Sequence, residues 1–284
     1  MYFLWNHDNS LIHISLDKGS NNIVNYQIRA YFFCHYKVFL YFCPMIDNVL
    51  VIHVKGQEER RRFIEKQLES LSGSLNPSIH YILEGNVEDL TPEILDHYFT
   101  GEMHGAYPRT SCAYKEFLAY QYILDHQLEG ALILEDDIRL FRNFPALFIK
   151  SIEEYNLYYT SQPFIANYEE SSLLFVPRSK RKKGTILYPA TRDRFTGCYY
   201  VSRMAAQNMM DFLEKNKCGV PLDRFHSKLI EAGVLKYYWS HPCLACQCSC
   251  DGSMPTMIPT RPRPLKRLKW FYKRFYKHLL YYFR

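Results

Sequence analysis

Ala131-Leu132-Ile133-Leu134-Glu135-Asp136-Asp137-Ile138 is the stretch that decides the fold. Four apolar residues run straight into three carboxylates, and one more apolar residue follows. A short continuous apolar run marks a strand buried on both faces, as in a parallel sheet covered by helices. Ligands of open α/β sheets bind just beyond the carboxyl ends of the strands. The acidic triplet therefore falls where a substrate arrives. Adjacent carboxylates repel one another unless a cation joins them, and hard oxygen ligands suit Mg²⁺ or Mn²⁺ held together with phosphate. The plainer alternative is a solvated acidic turn closing a core strand, so the surroundings must decide.

Upstream, the same α/β grammar begins at Asn48. Val49-Leu50-Val51-Ile52 reads as a buried strand, and a polar break at Lys55-Gly56-Gln57 leads into a helix from Glu58 to Leu71 with Arg60, Arg61 and Arg62 in its first turns. Ser78 to Leu83 offers a second strand. Thr91-Pro92-Glu93 combines an N-cap residue, Pro at N1 and an early acid, the signature of a helix start. Ser111 to His126 is a longer helix leading into the acidic strand. Downstream, Phe144 to Tyr155 reads as a helix and Ser179 to Gly184 as a basic turn. Thr196 to Ser202 is a turn and strand, Arg203 to Glu214 and Pro221 to Glu231 are helices, and Val234 to Trp239 is a final strand. There are no internal repeats.

A chain of 284 residues with 48% apolar content suffices for one sizeable core. Its net charge of +6 is unevenly placed: residues 261–284 carry nine Lys or Arg and no acid, while the rest is slightly acidic. This excludes a nucleic-acid-binding body and points to an anionic partner for the C-terminus. No apolar run approaches the roughly 20 residues of a membrane-spanning helix. Nine cysteines, an odd number without a disulfide-scaffold layout, fit a reducing cytoplasmic setting. Residues 1–44 are an atypical extension. Met45 stands directly before the first regular element, so one reading starts the native chain there; the other keeps the extension as a hairpin. The expected organisation is residues 1–44, a catalytic domain over 45–255 and a tail over 256–284.

The order of motifs resembles glycosyltransferase family 25, which contains lipooligosaccharide and collagen galactosyltransferases. Val51-Ile52-His53-Val54-Lys55 with Glu59-Arg60-Arg61 is similar to the family's opening strand and double-Arg helix. Cys112-Ala113 precedes the strand ending in Glu135-Asp136-Asp137. Gly197-Cys198-Tyr199-Tyr200-Val201-Ser202-Arg203, Pro221-Leu222-Asp223 and His241-Pro242…Gln247 follow in the family's order. The resemblance covers about residues 48–250. Two departures stand out: Lys115-Glu116 where the family has Ser-His, and His53 where Asn is common. The resemblance implies a GT-A-like, nucleotide-sugar-binding single domain with a mostly parallel central sheet. It also implies a UDP-sugar donor, most simply UDP-galactose, and Gly197 as part of the donor-binding motif.

The chemistry gives each residue a role. Moving a sugar from a nucleotide diphosphate breaks an anomeric C–O bond, and a divalent ion neutralises the departing diphosphate. Asp137 is the first choice for direct coordination, with Glu135 as second ligand and Asp136 beside them. Arg60 and Arg61 complement phosphate or else pair with surface acids. An inverting transfer needs a general base for the acceptor hydroxyl. Asp223 is the candidate, an ordinary helix cap its plainer role, and Asp193 a weaker choice. Cys243, Cys246, Cys248 and Cys250 have zinc-like spacing, but they are compressed into one loop, and the family's stretch needs no thiols.

At 100° per residue, Leu265, Leu268, Phe271, Tyr272, Phe275, Tyr276, Leu279, Tyr282 and Phe283 fall on one face of a tail helix, with Lys and Arg on the other. Such a basic amphipathic helix suits an anionic membrane surface; a docked helix with its charges outward is the alternative. The expectation is a Mn²⁺- or Mg²⁺-dependent glycosyltransferase, peripheral on the cytoplasmic face of the cell membrane. Its acceptor would be a cell-surface glycan or lipid-linked saccharide. A catalytically lapsed scaffold and a nucleotidyltransferase are the rival readings.

Overall fold

The computed structural model describes residues 2–5, 11–14, 48–72, 75–171, 173–258 and 265–283. The chain forms two compact units, Met1–Phe42 and Cys43–Arg284. In the first, β1 (Tyr2–Trp5) and β2 (Leu11–Ile14) pair antiparallel. The proposed start at Met45 lies outside the described residues.

The second unit holds the sheet. Its elements begin with β3 (Asn48–Ile52), α1 (Glu58–Ser72), β4 (Ser78–Ile82), α2 (Pro92–Tyr98) and α3 (Pro108–Asp125). Next come β5 (Gly130–Glu135), β6 (Ile138–Leu140), α4 (Phe144–Tyr158), β7 (Phe164–Asn167), β8 (Leu187–Pro189) and β9 (Cys198–Ser202). The series closes with α5 (Arg203–Asn216), α6 (Leu222–Glu231), β10 (Lys236–Ser240), β11 (Ala245–Gln247), α7 (Cys248–Asp251) and α8 (Lys266–Phe283). Seven strands line up as β4-β3-β5-β9-β7-β10-β8. Five of them run parallel; β9 and β8 are antiparallel to their neighbours. This is the α/β architecture with a mostly parallel central sheet that was expected.

The apolar run works as its composition dictates. Ala131 and Ile133 face one way, into a core built with α3, α5 and α6. Leu132 and Leu134 face the other, onto α1 and α4. All four are fully buried, each large side chain contributing about 1.5–3 kcal/mol. Strand β7 was not anticipated: Phe164-Ile165-Ala166-Asn167 is too short for a period to show, and it borders β9 and β10 deep in the sheet.

Two connections carry polar groups to the sheet's carboxyl edge. Ile52 is in register with Glu135, so the start of α1 lies beside the acidic turn. Beyond that turn, β6 pairs antiparallel with β11, Gln247 opposite Ile138, and this brings the segment after His241 against the triplet.

Candidate active site

The three carboxylates share one cleft of about 610 Å³ but not one environment. Asp136 is occupied on both oxygens: Arg60 Nη1 donates to Oδ1 at 2.6 Å, and His53 Nδ1 lies 2.9 Å from Oδ2. Arg60 Nη2 is also 3.7 Å from Asp137 Oδ2 and donates to the Pro255 carbonyl at 2.8 Å. Glu135 accepts from Thr196 Oγ1 at 3.1 Å and from Gln247 Nε2 at 2.5 Å. Burial, reinforced by the neighbouring Asp137 charge, pushes its carboxyl up to about 8. Asp137 Oδ2 accepts from the Ser249 amide at 3.0 Å, whereas Oδ1 is buried without a hydrogen-bond partner. Burial raises its carboxyl as well, opposed by the Ser249 bond and Arg60.

This donor set does not form a three-carboxylate cage, and no cluster of three or more metal-ligating side chains occurs among the described residues. What it offers is one buried, unsatisfied carboxylate oxygen on Asp137. Mg²⁺-type ions are commonly held by one or two carboxylates plus substrate phosphates, and Asp137 with a diphosphate meets that pattern. Glu135 joins only if it gives up its bonds to Gln247 and Thr196.

The other expected residues divide. Asp223 lines the same cleft, half-buried in the first turn of α6. It does not cap the helix from outside: its Oδ1 accepts from the adjacent Arg224 amide at 2.9 Å. Asp193 does not line the cleft, and both its oxygens are occupied: Oδ1 takes bonds from the Arg194 amide at 2.6 Å, Asn167 Nδ2 at 3.1 Å and the Tyr237 hydroxyl, while Oδ2 sits 2.8 Å from His226 Nδ1. Arg61 is not brought to the cleft. Its Nε donates to Glu65 at 2.6 Å and its guanidinium lies 3.3 Å above the Tyr81 ring, because one residue's step along α1 turns it about 100° from Arg60. Gly197 lies behind the triplet: its carbonyl accepts from the Glu135 amide and its amide donates to Glu169. A Cβ there would come within 2.7 Å of Gln247 and 2.9 Å of Glu169, so glycine is required by space.

At the departures from the family pattern, Lys115 lines the cleft and donates to the Leu83 and Glu84 carbonyls at 3.0 and 2.8 Å. Glu116 turns inward and accepts from the Tyr199 hydroxyl at 2.6 Å. The cysteines serve packing and polar contacts: Cys243 Sγ accepts from Arg194 and Cys248 Sγ from Arg139. Buried Glu169, whose Oε1 has no hydrogen-bond partner, escaped the sequence reading, as did Thr196 and Ser249. Each gains its role only through the β6–β11 pairing or the β7–β9 register.

Helix α8 departs from a docked helix with all its charges outward. It is docked through Lys277, with Trp270 and Leu280 half-buried beside it, while its other described cations stay exposed. Lys277, 1% exposed, donates to Glu170 Oε1 at 2.8 Å and to the Ser171 carbonyl at 3.0 Å. Leu268, Phe271, Tyr272, Phe275 and Leu279 face outward, with Tyr272 70% exposed. The buried acid Glu170 selects this orientation, since a buried carboxylate demands a cation. No helix among the described residues is long and apolar enough to cross a membrane.

Comparison with known proteins adds the following. Residues 46–226 match the model of glycosyltransferase family 25 (LPS biosynthesis protein), and no curated protein sequence matches the chain. Among solved structures, similarity is found to a glycosyltransferase involved in glycosylation of the major capsid of PBCV-1. The identity is 12%, coverage is 80% of this chain and 98% of that one, and the TM-score is 0.39. Mouse xyloside xylosyltransferase 1 in its apo form is similar at 13% identity over 74% and 99%, with a TM-score of 0.34. Scores this low decide nothing about chemistry.

Proposed function

Because the chain belongs to glycosyltransferase family 25, we propose that it transfers a sugar, galactose as the simplest case, from a UDP-sugar to a cell-surface glycan or lipid-linked acceptor. The observation that carries this reading is the pairing, in one cleft, of an unsatisfied Asp137 oxygen with Asp223. Mn²⁺ or Mg²⁺ held by Asp137, when bound, supplies charge neutralisation for the leaving diphosphate. Arg60 and His53 fix Asp136 and keep the turn rigid, so that Asp137 is presented without rearrangement.

Asp223 takes the proton of the acceptor hydroxyl as its oxygen bonds to the anomeric carbon. The bond from that carbon to the diphosphate oxygen breaks, and UDP leaves with the electron pair. Direct displacement of this kind inverts the anomeric centre. Substituting Asp223→Asn should lower kcat by at least 100-fold, within the usual range for general-base removal, and leave UDP affinity within about twofold. Near-normal turnover would rule out the base assignment.

The outward apolar stripe of α8 supports peripheral attachment to the cytoplasmic face of a membrane. An aromatic-rich face of this size on a folded surface is a binding feature, and an interfacial helix buries it about 5–10 Å into the headgroup boundary. With Lys277 turned inward, the exposed apolar side chains carry the insertion, beside the cations that stay exposed. Phe271→Ser with Phe275→Ser should abolish sedimentation with phosphatidylglycerol-containing vesicles; undiminished binding would exclude this face.

A further inference from the structure

The cleft has a cation problem. Its carboxylates cannot themselves hold an anionic donor, and the cations that the family-matched segment places on its wall are already committed. Arg60 is spent on Asp136. Arg109 donates to the Glu102 carbonyl at 2.7 Å, with the Glu102 carboxylate 3.9 Å away. Lys115 holds two backbone carbonyls. The wall contributed by α8 differs. Lys269 and Lys273 line the cleft there, with Trp270 beside them, and among the described residues neither ammonium has an ion-pair or hydrogen-bond partner.

Their placement follows from the docking of the helix. Lys269, Lys273 and Lys277 stand four residues apart and share one stripe of α8. Lys277, locked to Glu170, fixes the rotation at which the other two, both exposed, border the cleft. A free amphipathic helix would bury its aromatic side; this one exposes most of it and places Lys269 and Lys273 at the edge of an acidic cleft. The aromatic stripe and the lysine stripe thus serve opposite sides of the same helix.

We propose that Lys269 and Lys273 of α8 form the diphosphate-binding subsite of the donor cleft, taking the phosphate oxygens of a nucleoside diphosphate as flexible point charges. The proposal rests on the reading of this cleft as a nucleotide-sugar site. It adds that the site is incomplete without a helix outside the family-matched segment, and that donor binding and surface attachment meet on α8.

The test is calorimetric titration of the full chain, in Mg²⁺ buffer, with UDP, with inorganic pyrophosphate and with uridine. In the Lys269→Gln/Lys273→Gln variant, UDP and pyrophosphate affinity should each fall about tenfold or more, while uridine affinity stays unchanged. The steepness of the salt dependence should also fall. A control removing equal charge elsewhere, Arg267→Gln/Lys215→Gln, should bind like wild type, and hydrogen exchange across α8 should be unaltered in both. If wild type and the Lys269/Lys273 variant bind UDP equally, the subsite is wrong and the donor reading stands. If pyrophosphate binds and depends on the two lysines but no uridine compound does, the donor reading fails and the anion subsite stands. Tighter UDP binding by the variant, or no binding of either ligand by wild type, overturns the subsite.

Discussion

Replacing Lys277 by Met isolates the contact that orients α8. Methionine approximates the aliphatic stem, so the main loss is the ammonium that meets Glu170 at 2.8 Å and the Ser171 carbonyl at 3.0 Å. Removing one partner of a buried ion pair costs about 3–5 kcal/mol, because the remaining charge is left uncompensated. Two features lower that figure here. Arg274 Nε stays 3.6 Å from the same Glu170 oxygen, and α8 can lift away and expose Glu170 to water without unfolding the sheet. We expect a loss of roughly 2–4 kcal/mol in docking, or about 30- to 1,000-fold in the opening constant. Amide hydrogen exchange along residues 266–283 reads this directly, with β3 and β5 as internal reference. Combining Lys277→Met with Glu170→Gln removes the stranded charge and should recover at least about half of the loss, as a double-mutant cycle measures. Exchange within threefold of wild type in the single variant would refute the docking argument.

Arg60→Met should leave Asp136 and Asp137 without their guanidinium, lowering the urea midpoint by the equivalent of about 3 kcal/mol and abolishing transfer; unchanged stability would show that the pair is not the anchor of the acidic turn. Asp193→Asn should destabilise the fold by a similar amount, since its carboxylate joins His226, Asn167, Tyr237 and two amides. By contrast, Asp223→Asn should leave the midpoint nearly unmoved, and equal losses in the two variants would contradict their separate roles. His241 gives a pH signature. Burial first, then the charges of Arg181, Arg194 and Lys277, pull its pKa down to about 4. Between pH 6.5 and 4 the unfolded chain binds the proton and the folded chain does not, so stability falls as pH drops through that window. In His241→Gln the decline should be shallower, and parallel curves would exclude His241 as a contributor.

Much of this architecture was legible because short-range patterns determine it. Ala131–Leu134 must be covered on both faces, and the run ends in acids at the carboxyl edge of the sheet. Thr91-Pro92 starts a helix for local reasons, and the Thr91 hydroxyl accepts the expected bond from the Ile94 amide at 3.4 Å. What escaped depends on distant pairing. Nothing near Gln247 says that it will hold Glu135; the β6–β11 register does. Arg60 and Arg61 are indistinguishable as a dipeptide, yet helical rotation sends one to the triplet and the other onto Tyr81. The facial division of the tail was visible, but which side meets the protein was settled by Glu170, over a hundred residues earlier. Hydrophobic periodicity alone points such a helix the other way.

In the proposed function, Asp137 and Asp223 together serve sugar transfer from a UDP-sugar. The most direct test is product analysis of the full chain incubated with a panel of UDP-sugars, with Mn²⁺ and after chelation. Release of UDP from one donor, stimulated by Mn²⁺ and lost in Asp137→Asn, is the predicted result. Release of pyrophosphate, or no turnover of any donor under conditions where the chain is folded, would contradict it.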